Sequence, residues 1–324
     1  MSSNALDKQA LGRRLFAVRA LLLDGTLAEI ARTFREKDVQ SLLLKGPAFA
    51  RWLYEEPRRR AYLDIDLLVA PGSFDAAESA LADLGFRSLP RLFAAHHTVW
   101  QRDGLLDVDV DLHHGVVGVG VPHEVAWPYL AKGAETIEVF GERLVVPGLP
   151  AMALTLGLQL LQDGGANAKH REDLRRALEK ADFGVWQAAA TLARELNAHE
   201  ALGLGLRFVP GGREMADRLQ LPAPASRRLL LWASRPPATA GGIERLVSTK
   251  GAVGKLRLLR EKLAPSPEFM RWWFPPARRS RWGLAAGYAW RPIWLALKLP
   301  GGLRAWLKVA RSAPGGSAAK RDRA

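Results

Sequence analysis

The 324-residue sequence predicts an α+β fold. Strand-like apolar runs bounded by glycine and proline crowd the first 148 residues, and helical periodicity takes over from Pro150. Two of the strand-like runs also carry aspartate at alternate positions. The expected organisation is a sheet-bearing domain with an N-terminal helix over 1–148, a helical domain over 149–267, a basic Trp-rich helical segment over 268–311 and a disordered tail over 312–324.

Each element follows from a local signal. Asn4 to Lys37 reads as helix, with Leu11, Leu15, Val18 and Leu22 as its apolar stripe and Gly25 as a candidate break. Ser41 to Leu44 is a short strand stopped by Lys45-Gly46-Pro47, and Ala48 to Tyr54 suits a helix with Pro47 in its first turn. Leu63 to Val69 is a strand closed by Pro71-Gly72. Ser73 then caps the helix Phe74 to Leu84, which Gly85 ends. Leu105 to His113 is the second acidic strand, and Thr136–Phe140 with Arg143–Val146 form a hairpin across Gly141-Glu142. After Pro150 the helices are Ala151–Leu161, Glu172–Ala181, Val185–Leu196 and Ala201–Phe208.

Composition narrows the chemistry. With no cysteine there is no disulfide, no thiolate nucleophile and no metal site built on sulfur. The N-terminus lacks the pattern of a secretory signal, so a cytoplasmic location is expected. The net charge of +14 is uneven: Glu268–Ala324 holds 12 Lys/Arg against 2 Asp/Glu, together with six of the 11 tryptophans. The apolar stretch Gly283 to Leu299 is too short for a membrane span and is broken at Arg291-Pro292.

The aspartates carry the strongest signal. Residues two apart in a strand share a face, so Asp64 and Asp66 project together while Ile65 and Leu67 turn to a core. Carboxylates about 7 Å apart repel unless a cation lies between them, and Mg²⁺ takes such hard oxygen ligands along with substrate phosphates. Asp107, Asp109, Asp111 and His113 line one face of the second strand. If that strand neighbours the first, one of its carboxylates completes a three-aspartate set of the kind used in two-metal phosphoryl transfer.

These residues carry a resemblance. Leu44-Lys45-Gly46, Leu53-Tyr54, Arg60 and Asp64-Ile65-Asp66-Leu67-Leu68-Val69, followed by Asp111-Leu112-His113, resemble the uncharacterised NTP transferase proteins of the DNA polymerase β superfamily. The resemblance implies a nucleotidyltransferase-like mixed sheet with flanking helices, then an all-helical C-terminal region. It implies metal-dependent transfer of a nucleotidyl group from an NTP, ATP among them, to a hydroxyl of a small molecule, sugar or peptide. Asp64, Asp66 and Asp111 would be the catalytic metal ligands for Mg²⁺ or Mn²⁺, with Asp109 as the fallback third carboxylate. Lys45, Gly46, Arg60 and His113 would bind the nucleotide, Gly46 by letting backbone amides approach the triphosphate. Superfamily enzymes usually carry Gly-Ser at that position, about a dozen residues before the acidic pair. Here Lys45-Gly46 stands, with 17 residues between Gly46 and Asp64. A catalytically silent nucleotide-binding or regulatory module of the same fold, or an RNA-directed nucleotidyltransferase, are the alternatives.

Other motifs yield less. Thr249–Lys255 lacks the spacing of a phosphate loop, Gly115–Gly120 lacks a dinucleotide fingerprint, and no Ser/His/Asp triad stands out. His170 reads as a helix-surface residue. His96 and His97 read as ordinary loop positions, with an approach to the acidic site as the alternative. In the last segment Trp282, Trp290, Trp294 and Trp306 alternate with Arg and Lys. That pattern fits an anionic membrane surface or an acidic partner, with nucleic acid a weaker alternative. The competing expectation is that the tryptophans pack back on the helical domain.

Overall fold

The computed structural model describes residues 3–57, 60–89, 96–104, 106–223 and 226–312, with side chains from Val18 to Arg311. Arg58, Arg59, Leu105 and the tail beyond residue 312 lie outside the described residues. The chain forms two compact units. One takes in residues up to Gln159 with Ala168–Leu221, and the other Leu160–Asn167 with Pro222 onward.

In the first unit, α1 (Ser3–Glu36) leads to β1 (Ser41–Leu43), α2 (Pro47–Leu53), β2 (Asp64–Val69) and α3 (Phe74–Asp83). Then follow β3 (Arg87–Ser88), β4 (His97–Arg102), β5 (Val108–His113), α4 (His123–Ala131), β6 (Glu135–Val139) and β7 (Glu142–Val146). The helices α5 (Leu149–Gln162), α6 (Ala168–Lys180), α7 (Phe183–Glu195), α8 (His199–Leu206) and α9 (Gly212–Arg218) come next. The five-stranded sheet has the order β1-β2-β5-β4-β3. The β2/β5 seam is parallel, while β1 with β2, β4 with β5 and β3 with β4 pair antiparallel. The sheet is therefore mixed.

Burial follows the pleat. Ile65, Leu67 and Val69 of β2 and Val108, Val110 and Leu112 of β5 are buried apolar residues, as strands covered by helices require. Helix α1 runs unbroken through Gly25, whose added Cβ would meet nothing within 4 Å. Its core stripe is Leu23, Leu27, Ile30 and Phe34, whereas Val18 is 51% and Leu22 37% exposed. The stripe expected from Val18 and Leu22 is thus displaced by one residue, because the leucine run Leu21-Leu22-Leu23 leaves the register open. The hairpin β6–β7 turns on Phe140 (φ 50°) and Gly141 (φ 77°), the two left-handed residues that match the twist of its strands. Arg32 and Arg35 of α1 both bond Glu142 beside this turn, at 2.9 and 2.8 Å. β5 starts at Val108, so Asp107 lies before the strand and is exposed.

The second unit is helical: α10 (Arg227–Ala233), α11 (Ala238–Ser248), α12 (Ala252–Leu263), α13 (Pro267–Trp273) and α14 (Arg281–Ser312). Arg291-Pro292 interrupts the apolar run but not the helix, and α14 continues through both Pro292 and Pro300. Each proline costs an interior helix about 3 kcal/mol, so tertiary packing must offset it. Arg291 is buried, donates to the Lys262 carbonyl at 2.7 Å and lies over the rings of Phe269 and Trp273 at 4.7 and 4.9 Å. Near the other end, Gly302 lets α14 touch α11, where a Cβ would come within 2.2 Å of Thr239 Oγ1. Leu231, Ala240 and Val309 form the small core there, with Trp306 packed on it. Among the described residues no helix is long and apolar enough to cross a membrane.

Candidate active site

The site is built on the parallel seam. Register places Asp64 opposite Asp109, Asp66 opposite Asp111 and Leu68 opposite His113, so both strands present their acidic residues on one face. β4 then sets His97 beside His113, Val99 beside Asp111 and Gln101 beside Asp109 on that same face. Gln101 Nε2 donates to Asp109 Oδ1 at 2.9 Å. Asp111, by contrast, is gathered with Asp66 and His113, one ligand atom of each lying within 4.8 Å of the others. Asp64, two residues before Asp66, is half-buried beside this group. An apolar cavity of about 500 Å³ lined by Leu27, Leu43, Leu67, Trp127 and Leu144 includes none of these acidic residues.

Asp66 is the hub. It is only 3% exposed, and its Oδ1 accepts from Lys45 Nζ at 2.7 Å and from His113 Nε2 at 3.0 Å. Burial works against its charged form, but Lys45 and His113 outweigh that, and the carboxyl is held well below its ordinary range. An ionised carboxylate only accepts, so His113 carries its proton on Nε2. Burial likewise opposes the charge on Lys45, yet the attraction of Asp66 and then of Asp64 raises its pKa overall. Asp64 is shifted up by burial and then by Asp66. Burial and the repulsion of Asp66 and Asp64 push Asp111 up to about 7.

One lysine therefore faces more negative charge than it offsets. That excess, with two carboxylates and an imidazole converging within 4.8 Å, fits a divalent cation.

The turn after β1 needs a glycine. Gly46 has φ 54° and ψ −118°, a backbone that an L side chain resists, and its open flank faces the Tyr62 ring. Arg60 holds this turn from below. It is 3% exposed, its Nη1 donates to the Gly46 carbonyl at 3.2 Å, and its Nε and Nη2 clasp Asp173 at 2.8–3.1 Å. The Tyr54 hydroxyl adds a third donor to Asp173 at 2.9 Å, and burial followed by that carboxylate pushes the phenol up to about 12. Arg60, read from the sequence as a phosphate contact, thus spends its guanidinium on Asp173 and the turn.

Four residues that the sequence reading did not assign to the site are drawn to it. Asp173 lies on the buried stripe of α6 with Leu174 and Ala177, a carboxylate at a core position whose spacing was a usable signal. Lys169, one turn earlier, donates to the Ala61 carbonyl at 3.3 Å and lies close enough to Asp64 to offset part of that group's upward shift. Its own pKa is lowered by burial and then by Arg60. His96 and His97 join His113, one ring nitrogen of each within 4.8 Å of the others. Burial, then the neighbouring imidazoles, pulls His96 down to about 3 and His97 to about 4, so both are neutral.

No curated protein matches the sequence. Among solved structures, the antibiotic-resistance factor ANT(2'')-Ia is 17% identical, with a TM-score of 0.39 over 55% of this chain and 94% of its own. An antigenic nucleotidyltransferase-like protein from Paracoccidioides brasiliensis is 15% identical, with a TM-score of 0.36 over 56% of this chain and 91% of its own. Residues 3–210, about two thirds of the chain, match the family described as uncharacterised nucleotidyltransferase, and that span holds every residue of the site from Lys45 to Asp173. The chain therefore belongs to this nucleotidyltransferase family.

Proposed function

We propose that the protein transfers a nucleotidyl group from an NTP to a hydroxyl of a small molecule, sugar or peptide, at the cluster of Asp64, Asp66 and Asp111. The observation that carries this reading is the direct pairing of Asp66 with Asp111 across the parallel seam, with Asp64 two residues away on the same face. Asp64, Asp66 and Asp111 would hold Mg²⁺ or Mn²⁺, with the His113 imidazole orienting Asp66. Such an ion supplies charge stabilisation to the phosphates and a lowered pKa to the attacking hydroxyl.

The chain's own groups do the rest. The acceptor oxygen attacks the α-phosphorus, the bond from that phosphorus to the β-bridging oxygen breaks, and pyrophosphate leaves. The hydroxyl proton passes to a carboxylate of the cluster. Gly46 keeps the turn after β1 open to the triphosphate, and Arg60 positions that turn through the Gly46 carbonyl. Lys45, a point charge on a flexible stem held at Asp66, would offer its ammonium to phosphate oxygens. Lys169 adds a second positive charge on the Asp64 side.

The second unit supplies a partner surface. Residues 222–324 carry 21 Lys/Arg against 4 Asp/Glu, which leaves the first 221 residues with a small net negative charge. On α12, Val253 and Leu256 are 81% and 70% exposed, and Leu259 and Leu263 continue their face between Lys255, Arg257, Arg260 and Lys262. Trp282 at the start of α14 is 74% exposed. Exposed apolar side chains flanked by cations favour an anionic membrane surface, which takes up both. Trp306 instead packs on Leu231 and Ala240 of the helical region, whereas Trp273 and Trp294 pack on each other.

The function is tested by incubating the protein with each NTP, a divalent cation and a panel of hydroxyl acceptors, and measuring pyrophosphate. Cation-dependent release that requires an acceptor supports transfer. Tight NTP binding with no pyrophosphate across the panel would favour the silent module.

A further inference from the structure

The aspartates account for one side of the site, but not for the three imidazoles on the other. His96, His97 and His113 come from the start of β4 and the end of β5, brought together by the register that sets His97 against His113. Their ring centroids lie 4.6 Å (His96–His97), 5.0 Å (His97–His113) and 5.9 Å (His96–His113) apart. Three ring nitrogens, one from each, lie within 4.8 Å of one another. His97 is largely buried and its Nδ1 has no hydrogen-bond partner, so a polar atom is enclosed beside the site with its capacity unspent. His113 gives one nitrogen to Asp66 and has the other left to use.

We propose that His96, His97 and His113 form a binding site for a borderline transition-metal ion, Zn²⁺ or its Co²⁺ and Ni²⁺ analogues, next to the carboxylate cluster. Imidazole nitrogen suits these ions and is a poor ligand for Mg²⁺, which demands oxygen. Three histidines leave a fourth position open, as in zinc sites that receive water or substrate. Metal-ligating histidines commonly donate their second N–H to a carboxylate, and His113 already makes that bond to Asp66. Nitrogens within 4.8 Å of one another are near enough to be drawn onto one ion at a metal–nitrogen distance of about 2 Å. Asp111 Oδ2, 3.8 Å from His97 Nε2, places the imidazole site against the carboxylates. The site thereby gives the cluster two metal positions of different chemistry, a hard one on oxygen and a softer one on nitrogen.

The site builds on the proposed active centre but is tested without turnover. Calorimetric titration of the full-length protein with Zn²⁺ in excess Mg²⁺, backed by the visible spectrum of the Co²⁺ form, reads it directly. One equivalent is expected to bind despite Mg²⁺, with at least tenfold weaker binding in His96→Gln and in His97→Gln, both checked for fold by circular dichroism. Asp64→Asn is expected to retain the Zn²⁺ site while losing Mg²⁺ binding. No Zn²⁺ bound by the wild type, undiminished binding in both histidine variants, or loss of Zn²⁺ in Asp64→Asn would each overturn the proposal. Failure of nucleotidyl transfer alone would leave it standing.

Discussion

Asp66 and Asp111 stand directly opposite each other across the parallel β2/β5 pair of the five-stranded sheet. Two carboxylates in that relation cannot both ionise cheaply. They divide the work: Lys45 and His113 keep Asp66 charged, and Asp111 is left holding its proton up to about pH 7. A site arranged this way discriminates strongly between having a cation and lacking one.

The first prediction concerns His113. Its bond to Asp66 fixes that carboxylate, so His113→Ala should weaken divalent-cation affinity roughly 10–100-fold without unfolding the sheet. Titration calorimetry with Mn²⁺ measures this. Unchanged affinity would mean that His113 does not orient Asp66.

A pH dependence follows from Asp111. Its pKa is raised from 3.8 to about 7 in the folded chain. Between those values the folded state binds the proton that the unfolded chain has released, so stability falls as pH rises from about 4 to about 7. The total for this one group is on the order of a few kcal/mol. Asp111→Asn has no charge to bury and should flatten the slope, becoming the more stable protein at pH 8 in a chelating buffer. Thermal unfolding at pH 5 and pH 8 decides it, and parallel profiles for the two proteins would count against the buried charge.

The Arg60–Asp173 clasp should be a stability determinant. Both side chains are buried, and Asp173→Ala leaves the guanidinium without its counter-charge. Losing one partner of such a pair costs about 3–5 kcal/mol. Arg60→Lys keeps the charge but not the fork, so it should also destabilise and should loosen the Gly46 turn, weakening NTP binding. Chemical denaturation and nucleotide titration measure the two effects separately. A neutral Asp173→Ala would show that the clasp is not what holds the turn.

The basic unit predicts salt-sensitive association with lipid. The protein should sediment with vesicles containing phosphatidylserine and not with phosphatidylcholine alone, and NaCl at 0.5 M, an ionic strength with a Debye length of only about 4 Å, should release it. Replacing Val253 and Leu256 with serine should weaken binding while leaving the fold intact, because both side chains are exposed. Full-length protein remaining in the supernatant at low salt would exclude the lipid partner.

Legibility in the sequence followed the range of the interactions. Asp64 with Asp66, and Asp111 with His113, were readable because strand periodicity puts each pair on one face of its own strand, and Ile65 and Leu112 between them mark the other. The pairing of the two strands needed the family resemblance. Arg60 and Asp173 are 113 residues apart, and no local pattern couples them. His96 and His97 lacked any turn signal to mark the start of β4, whose strand character comes from its ladder with β5. Local rules failed outright at Pro292 and Pro300, where burial of Arg291 and the close contact at Gly302 sustain a helix that propensity would end.

The central claim is that Asp64, Asp66 and Asp111 carry nucleotidyl transfer. The most direct measurement follows radiolabel from α-³²P NTPs into an acceptor in the presence of Mg²⁺, comparing the wild type with Asp66→Asn. The change removes one ligand charge and keeps the shape of the side chain. It should slow transfer by roughly 10³-fold, the equivalent of several kcal/mol of transition-state stabilisation, with the circular dichroism spectrum unaltered. Label transfer that proceeds in Asp66→Asn at the wild-type rate would contradict the assignment of the site.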